Sequence, residues 1–378
     1  MANEEPKLPK QFDLERDLSD IYKWLPLQCN EKPLSDLIEQ VQGLSKFAKK
    51  EVLKGKNIDD KVRALRKAVG YNLIKQESLE HLLRDCEESG QQWIYLYSPK
   101  GKYLDLVSDP HSIAKKLFAG MQLQDFPRFE WPDNGLVWAD FRITPSKWGD
   151  NWVIKIYEHS KEKKIVESKD GEKIGDDLFQ DWKNYRYLDA YSVHVVRWIA
   201  SLSLLEVRID KEKSMGRKSA RSVRFNGVID RMLPALPITS MTSWSLESAC
   251  TKMLKKRTQV DAPFRFGHVR LQNGDKGKSN FFPFDSKSSL DKDKGRKDAV
   301  DLIFSNGGKI LEGCVNFKVP LGMEKPKPLK EDVDSEVGND DELRTIIGGD
   351  NWNEVSISSR ITPTLLDHVL KHLCKTYA

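Results

Sequence analysis

The chain lacks most of the features that announce a compartment or a reaction. No apolar run approaches the ~20 residues that a membrane-spanning helix needs, and residues 1–10 are polar, without the apolar stretch of a secretory leader. Cysteine is scarce: five in 378 residues, at positions 29, 86, 250, 314 and 374, none paired at short spacing. An odd and scattered set excludes a zinc ribbon and a disulfide framework. It points to a reducing compartment, the cytoplasm, or the nucleus if the cell is eukaryotic. There is no G-x-S-x-G elbow for a serine nucleophile and no internal repeat. A Cys–His pair is not excluded by sequence, but isolated cysteines are ordinarily small core residues.

Three partial motifs fall short for physical reasons. Gly274-Asp275-Lys276-Gly277-Lys278-Ser279 ends like a phosphate-binding loop, but the spacing needs glycine at 272, where Gln272 stands. A helix should follow to aim backbone N–H groups at phosphate, whereas Asn280-Phe281-Phe282-Pro283 reads as extended. The segment is a lysine-rich turn. His368 and His372 have the spacing of two ligands on one helix face, but no glutamate lies between them and no third ligand is near in sequence. They read as solvent-facing. A metal-dependent nuclease needs an aspartate and a Glu-x-Lys on neighbouring strands. Asp140 and Glu206-x-Arg208 approximate this with arginine in place of lysine, and Glu162-x-Lys164 has the spacing but sits in a charged turn. No cofactor or metal is called for.

What is present is charge, unevenly placed. Lys and Arg number 62 against 57 Asp and Glu, a net charge of +5. Between residues 211 and 297 there are 20 basic residues against 8 acids, and residues 331–342 hold seven acids and no base. A basic surface beside an acidic tether suits a polyanionic partner or screens itself.

The hydrophobic pattern divides the chain in three. Residues 1–12 read as a disordered leader, within a helical bundle over 1–90 that carries helices through Leu14–Leu25, Pro33–Leu44, a segment capped by Asn57 or Asp59, and Ser78–Cys86. Residues 91–257 form a central antiparallel sheet with a packed helix. Leu136–Ile143 and Trp152–Tyr157 are strands, a third lies around Ile165-Val166 with a turn at Lys169-Asp170-Gly171, Leu188–Ser201 is the helix, and Leu204–Ile209 returns as a strand. Lys211–Arg221 reads as a loop, Val223–Leu233 as a helix, and Ser243 or Ser245 caps another. Residues 258–378 form a C-terminal α+β unit: a strand at Phe264–Leu271, a long loop over 275–297, and a hairpin of Asp298–Phe304 and Ile310–Phe317 around Asn306-Gly307-Gly308. An acidic linker over 323–342, a strand at Trp352–Ile357 and a closing helix after Thr362-Pro363 complete it. The fold class is α+β.

The aromatic run Trp93–Tyr97, followed by a helix and then by the strand Val137-Trp138-Ala139-Asp140-Phe141, gives residues 14–230 an element order that resembles the inner-kinetochore CENP-N family. The resemblance implies a death-fold-like bundle joined to a sheet domain, and a protein that binds centromeric nucleosomes and DNA. It identifies no binding residue here.

Function is therefore expected from basic surfaces with aromatics near them. The candidate nucleic-acid contacts are Lys46, Lys49, Lys50, Lys54, Arg63, Arg66 and Lys67 in the bundle, Arg217, Lys218, Arg221 and Arg224 after the central block, and Lys255, Lys256 and Arg257 at a helix end. Exposed Trp148 and the Trp93–Tyr97 run are candidates for stacking on bases or filling a partner's pocket. The expectation is a non-catalytic module that binds nucleic acid, DNA foremost, and a protein partner, with no membrane. The alternatives are a metal-dependent nuclease of a bacterial defence or DNA-handling system, and a pure protein scaffold.

Overall fold

The computed structural model describes residues 11–12, 18–29, 31–89, 92–118, 135–174, 178–211, 218–257, 262–272, 277–282, 290, 293–320, 342–348, 353–357 and 363–376; for 11–12, 32, 162–174, 178–190, 218–220 and 376 it describes the backbone alone. The expected leader over 1–10, Arg217 and the acidic linker up to residue 341 lie outside these. Gln11–Phe12, placed in the leader by sequence, is a short strand, β1, opposite Arg142 and Phe141.

Five helices follow: α1 (Leu18–Gln28), α2 (Glu31–Leu44), α3 (Lys46–Glu51), α4 (Ile58–Gly70) and α5 (Gln76–Glu88). Ser45 caps α3 by accepting the Ala48 N–H, and Asn57 caps α4 by accepting the Asp60 N–H at 2.8 Å. Next come β2 (Gln92–Ser98), α6 (Lys102–Val107), and α7 (Pro110–Leu117), started as expected by Asp109 with proline at its first position. The long strands follow: β3 (Gly135–Thr144), β4 (Asn151–Ile174), β5 (Leu178–Ile199) and β6 (Leu204–Asp210). Beyond them lie α8 (Lys218–Met232), β7 (Thr242–Ser243), α9 (Glu247–Lys256), β8 (Phe264–Gln272), β9 (Lys278–Phe281), α10 (Lys294–Ser305), β10 (Lys309–Lys318), β11 (Glu342–Gly348), β12 (Glu354–Ile357) and α11 (Pro363–Lys371).

The protein is of the α+β class, and all its described strands join one antiparallel sheet in the order β1-β3-β4-β5-β6-β2-β12-β11-β10-β8-β9, with β7 on β2. The sheet runs through the sequence boundary at 257/258, because β2 pairs β6 on one edge and β12 on the other. One face of β3–β5 is covered by the bundle through Ala139, Tyr157, Val193 and Val195. The opposite face of β3–β6 packs Phe141, Trp152, Ile154, Val196 and Trp198 against α7 and α8. The C-terminal strands pack Phe266, Val315, Phe317 and Ile357 against α9 and α11. No described helix is long and apolar enough to cross a membrane.

Three sequence expectations are corrected. Residues 188–199 are strand, not helix: Val193 and Val195 face the bundle while Val196 and Trp198 face the other way. Burial on both faces erased the alternation that marks a strand, and the remaining spacing mimicked a helix. The third strand expected near Ile165 is the continuation of β4, and the turn expected at 169–171 is a register irregularity between Lys169 and Glu172. Asn306-Gly307-Gly308 does not turn a hairpin. It ends α10, with Gly307 at φ +79° and the Gly308 N–H donating to the Ile303 carbonyl at 2.9 Å. That is a Schellman stop, which asks for the same glycine as a tight hairpin does. Consecutive antiparallel strands in this half include β8–β9, which also occupies part of the loop expected over 275–297, and β11–β12.

Candidate nucleic-acid interface

The bundle owes its basic surface to two short amphipathic helices. In α3, Ala48 is fully buried, and Lys46, Lys49 and Lys50, three and four residues apart, form the exposed stripe. In α4, Val62, Leu65 and Ala68 face the core, leaving Arg63, Arg66 and Lys67 on the outside. Lys61, just before Val62, turns inward to Glu31 at 3.2 Å. Lys54 pairs with Glu39, and Arg63 with Asp60. The Arg66 guanidinium lies 5.6 Å from the centre of the Tyr22 ring, whose hydroxyl is pushed up by burial and drawn back by that charge. Lys46, Lys49 and Lys67 meet no acid within ion-pair distance among the described residues.

Two aromatic residues join the stripes. Phe47 of α3 and Tyr71, at the end of α4, meet edge to face with centroids 5.4 Å apart, and they are 51% and 46% exposed. Neither stood out in the sequence. The available signal was a phenylalanine set in a lysine-rich helix where only the next position, Ala48, is core.

Three of the other basic groups, Arg224, Arg221 and Arg257, are engaged within the fold. Arg224 is buried, its guanidinium 2.8 Å from Glu158 and donating to Ser192 and Ser160. Glu158 also takes the His194 ring at 3.0 Å. Burial opposes ionisation of Glu158, but the His194 and Arg224 contacts outweigh it and hold the carboxyl below its usual range. Arg221 pairs with Glu354 and lies over Trp93. Arg257 donates to the Leu254 carbonyl at 2.8 Å and to Asp301 at 2.7 Å. Lys255 and Lys256 are exposed at the end of α9. Of Lys218 only the backbone, the start of α8, is described.

The aromatic candidates divide likewise. Trp93–Tyr97 is the core strand β2, with Tyr95 against Phe225. Trp148 is 61% exposed with the Lys147 ammonium 5.1 Å from its ring centre.

The carboxylates considered for metal chemistry are taken up by cations. Asp140 and Glu206 stand on β3 and β6 with β4 and β5 between them, which separates their backbones by roughly 14 Å. Asp140 accepts from Arg142 at 3.0 Å, and Lys155 lies 2.9 Å from Glu87, 3.1 Å from Glu88 and 3.8 Å from Asp140. Tyr157 donates to Glu87 at 2.7 Å. Glu206 accepts from Arg208, which also donates to the Glu88 carbonyl at 2.6 Å. These buried pairs tie the end of α5 to the sheet. Glu162 and Lys164 lie on β4, where only the backbone is described. His368 and His372 sit with ring centroids 4.5 Å apart, while neighbouring Asp367 pairs with Arg197 at 2.7 Å. No cluster of three His, Cys, Asp or Glu side chains suited to a metal occurs among the described residues. After residue 277 the chain runs into strand β9, so no helix N-terminus follows Gly277-Lys278-Ser279.

What the structure brings together is therefore a pair of half-exposed rings, Phe47 and Tyr71, with an outward basic stripe on the helix of each. Neither the protein-family models nor the curated proteins yield a match to this chain.

Proposed function

We propose that the chain is a non-catalytic nucleic-acid-binding module, for DNA foremost, that holds the phosphate backbone on the α3–α4 face of its bundle. The observation that carries this reading is the pair of basic stripes, Lys46, Lys49 and Lys50 on one helix and Arg63, Arg66 and Lys67 on another, standing outward on two capped helices whose Phe47 and Tyr71 rings meet. Lys46, Lys49 and Lys67, with no acid in reach among the described residues, are hydrated charges with nothing to lose by meeting phosphate, and Lys50 has only the exposed contact to Glu51 at 4.0 Å to give up, whereas Arg224 would have to leave a buried carboxylate.

The test is DNA retention measured across salt. Binding should weaken steeply, with a log–log slope of about −4 to −6 if that many phosphates are neutralised. The charge reversals Lys46→Glu, Lys49→Glu and Lys50→Glu together should flatten that slope by about 2 to 3. No retention at about 50 mM salt, or an unchanged slope in the triple variant, would remove the proposal.

A further inference from the structure

We propose that Phe47 and Tyr71 form a base-stacking step, so that the α3–α4 face takes single-stranded DNA in preference to a duplex; this rests on the nucleic-acid reading above. Single exposed rings are ordinary, but two in contact, each about half open to water and set among lysines, make a small contiguous apolar patch that a surface meeting only solvent does not call for. They are also out of place on a surface that meets only a duplex exterior, whose base faces are already stacked on one another. A single strand offers what this pair lacks, flat apolar faces on a chain of phosphates.

The rings are positioned in advance. Phe47 is the second residue of α3, directly after the helix start fixed by Ser45. Tyr71 sits at the C-terminus of α4, where Asn72 adopts φ +53° and the Leu73 N–H donates to the Ala68 carbonyl at 2.9 Å. That closed helix stop fixes the backbone from which the Tyr71 ring projects. A preset ring forfeits little freedom when a base settles on it. An edge-to-face pair leaves both faces of the edge-on ring, and one face of the other, free of its partner. Lys50 lies one turn along α3 from Phe47, and Lys67 one turn before Tyr71 on α4. Each ring thus has a cation on its own side of its own helix, as a nucleotide carries a phosphate beside each base. The surface complements a polyanion with exposed ring faces rather than an acidic protein, whose carboxylates have no use for the pair.

The experiment is fluorescence polarisation of the full chain with a dye-labelled oligothymidylate of about 20 nucleotides and with a mixed-sequence duplex of about the same length. Phe47→Leu and Tyr71→Leu keep apolar bulk at each site and remove the ring. We expect the single strand to bind at least about tenfold tighter than the duplex, and each leucine variant to lose roughly tenfold for the single strand alone. The salt slope should stay unchanged in both variants, because no cation has been removed. Lys49→Glu supplies the contrast, lowering that slope with the rings intact. Leucine variants that hold the single strand as the native chain does would overturn the stacking step. Equal binding of both polymers would do the same while leaving the phosphate-binding reading in place. Failure of both polymers to bind at about 50 mM salt would remove the two together.

Discussion

Lys49 and Arg224 carry the same formal charge and were equal candidates as residues in a string, yet they meet opposite surroundings. Lys49 stands in water with no acid in reach among the described residues, whereas Arg224 is buried against Glu158 and also donates to two serine hydroxyls. Burying an ion pair brings little net gain, but removing one member strands the other in a medium that solvates it poorly. Arg224→Ala should therefore lower unfolding stability by about 2–4 kcal/mol in urea titration. Lys49→Ala should stay within about 0.5 kcal/mol of the parent while lowering DNA retention. If Lys49→Ala proved as destabilising as Arg224→Ala, its charge would belong to the fold, and the division drawn between the two groups would be lost. Arg221 and Arg257 fall with Arg224, each paired to an acid remote in sequence, Glu354 and Asp301. That pairing is set by tertiary approach, so no inspection of the local basic run reveals it.

At the scale of elements the same glycine serves two different structures. Gly307 holds φ +79° and closes α10, with its own N–H donating to the Phe304 carbonyl at 3.1 Å. Replacing it with alanine puts a Cβ into the left-handed region and should cost about 1–2 kcal/mol of stability, read as a lower urea midpoint with an unchanged slope. No loss would mean that this stop is not what ends the helix. The sequence showed that the chain breaks at Asn306-Gly307-Gly308, but not which element precedes it. Leu302, Ile303 and Phe304 are apolar in succession, and such a run fits a strand or a helix equally. The β5 segment erred in the reverse direction, since burial on both faces hid its alternation. Where one face is wet, as in α4, α7 and α11, patterning and caps located the helix. The basic half of the candidate interface was legible for that reason, because a stripe on a one-sided helix declares itself. The aromatic half was not. Phe47 and Tyr71 lie 24 positions apart in the sequence and meet only once α3 and α4 have both packed on α2.

The whole molecule turns on β2. Its alternate side chains serve two cores: Ile94 and Leu96 enter the C-terminal one, while Trp93, Tyr95 and Tyr97 enter or border the one beneath α7 and α8. Its backbone is equally divided, pairing with β6 on one side and β12 on the other. The Leu96 N–H donates to the Asn353 carbonyl at 2.9 Å, and the Leu96 carbonyl accepts from the Trp244 N–H at 2.9 Å. A strand placed this way gives neither half an edge to detach along, so the sheet should unfold as a unit. Leu96 is fully buried, and Leu96→Ala should cost about 2–5 kcal/mol. The sharper expectation concerns cooperativity. Once Trp244, which packs on the C-terminal core, and Trp352 are replaced by phenylalanine, tryptophan emission, with Trp152 and Trp198 buried beneath α7 and α8, reports on one half, and the buried thiol of Cys250 reports on the other through its alkylation. In that parent the two signals should share one denaturant midpoint, and in Leu96→Ala they should move together. Alkylation of Cys250 at a denaturant concentration where tryptophan emission is still native would show that the C-terminal strands open independently. β2 would then be a seam between two domains rather than the strand that makes them one.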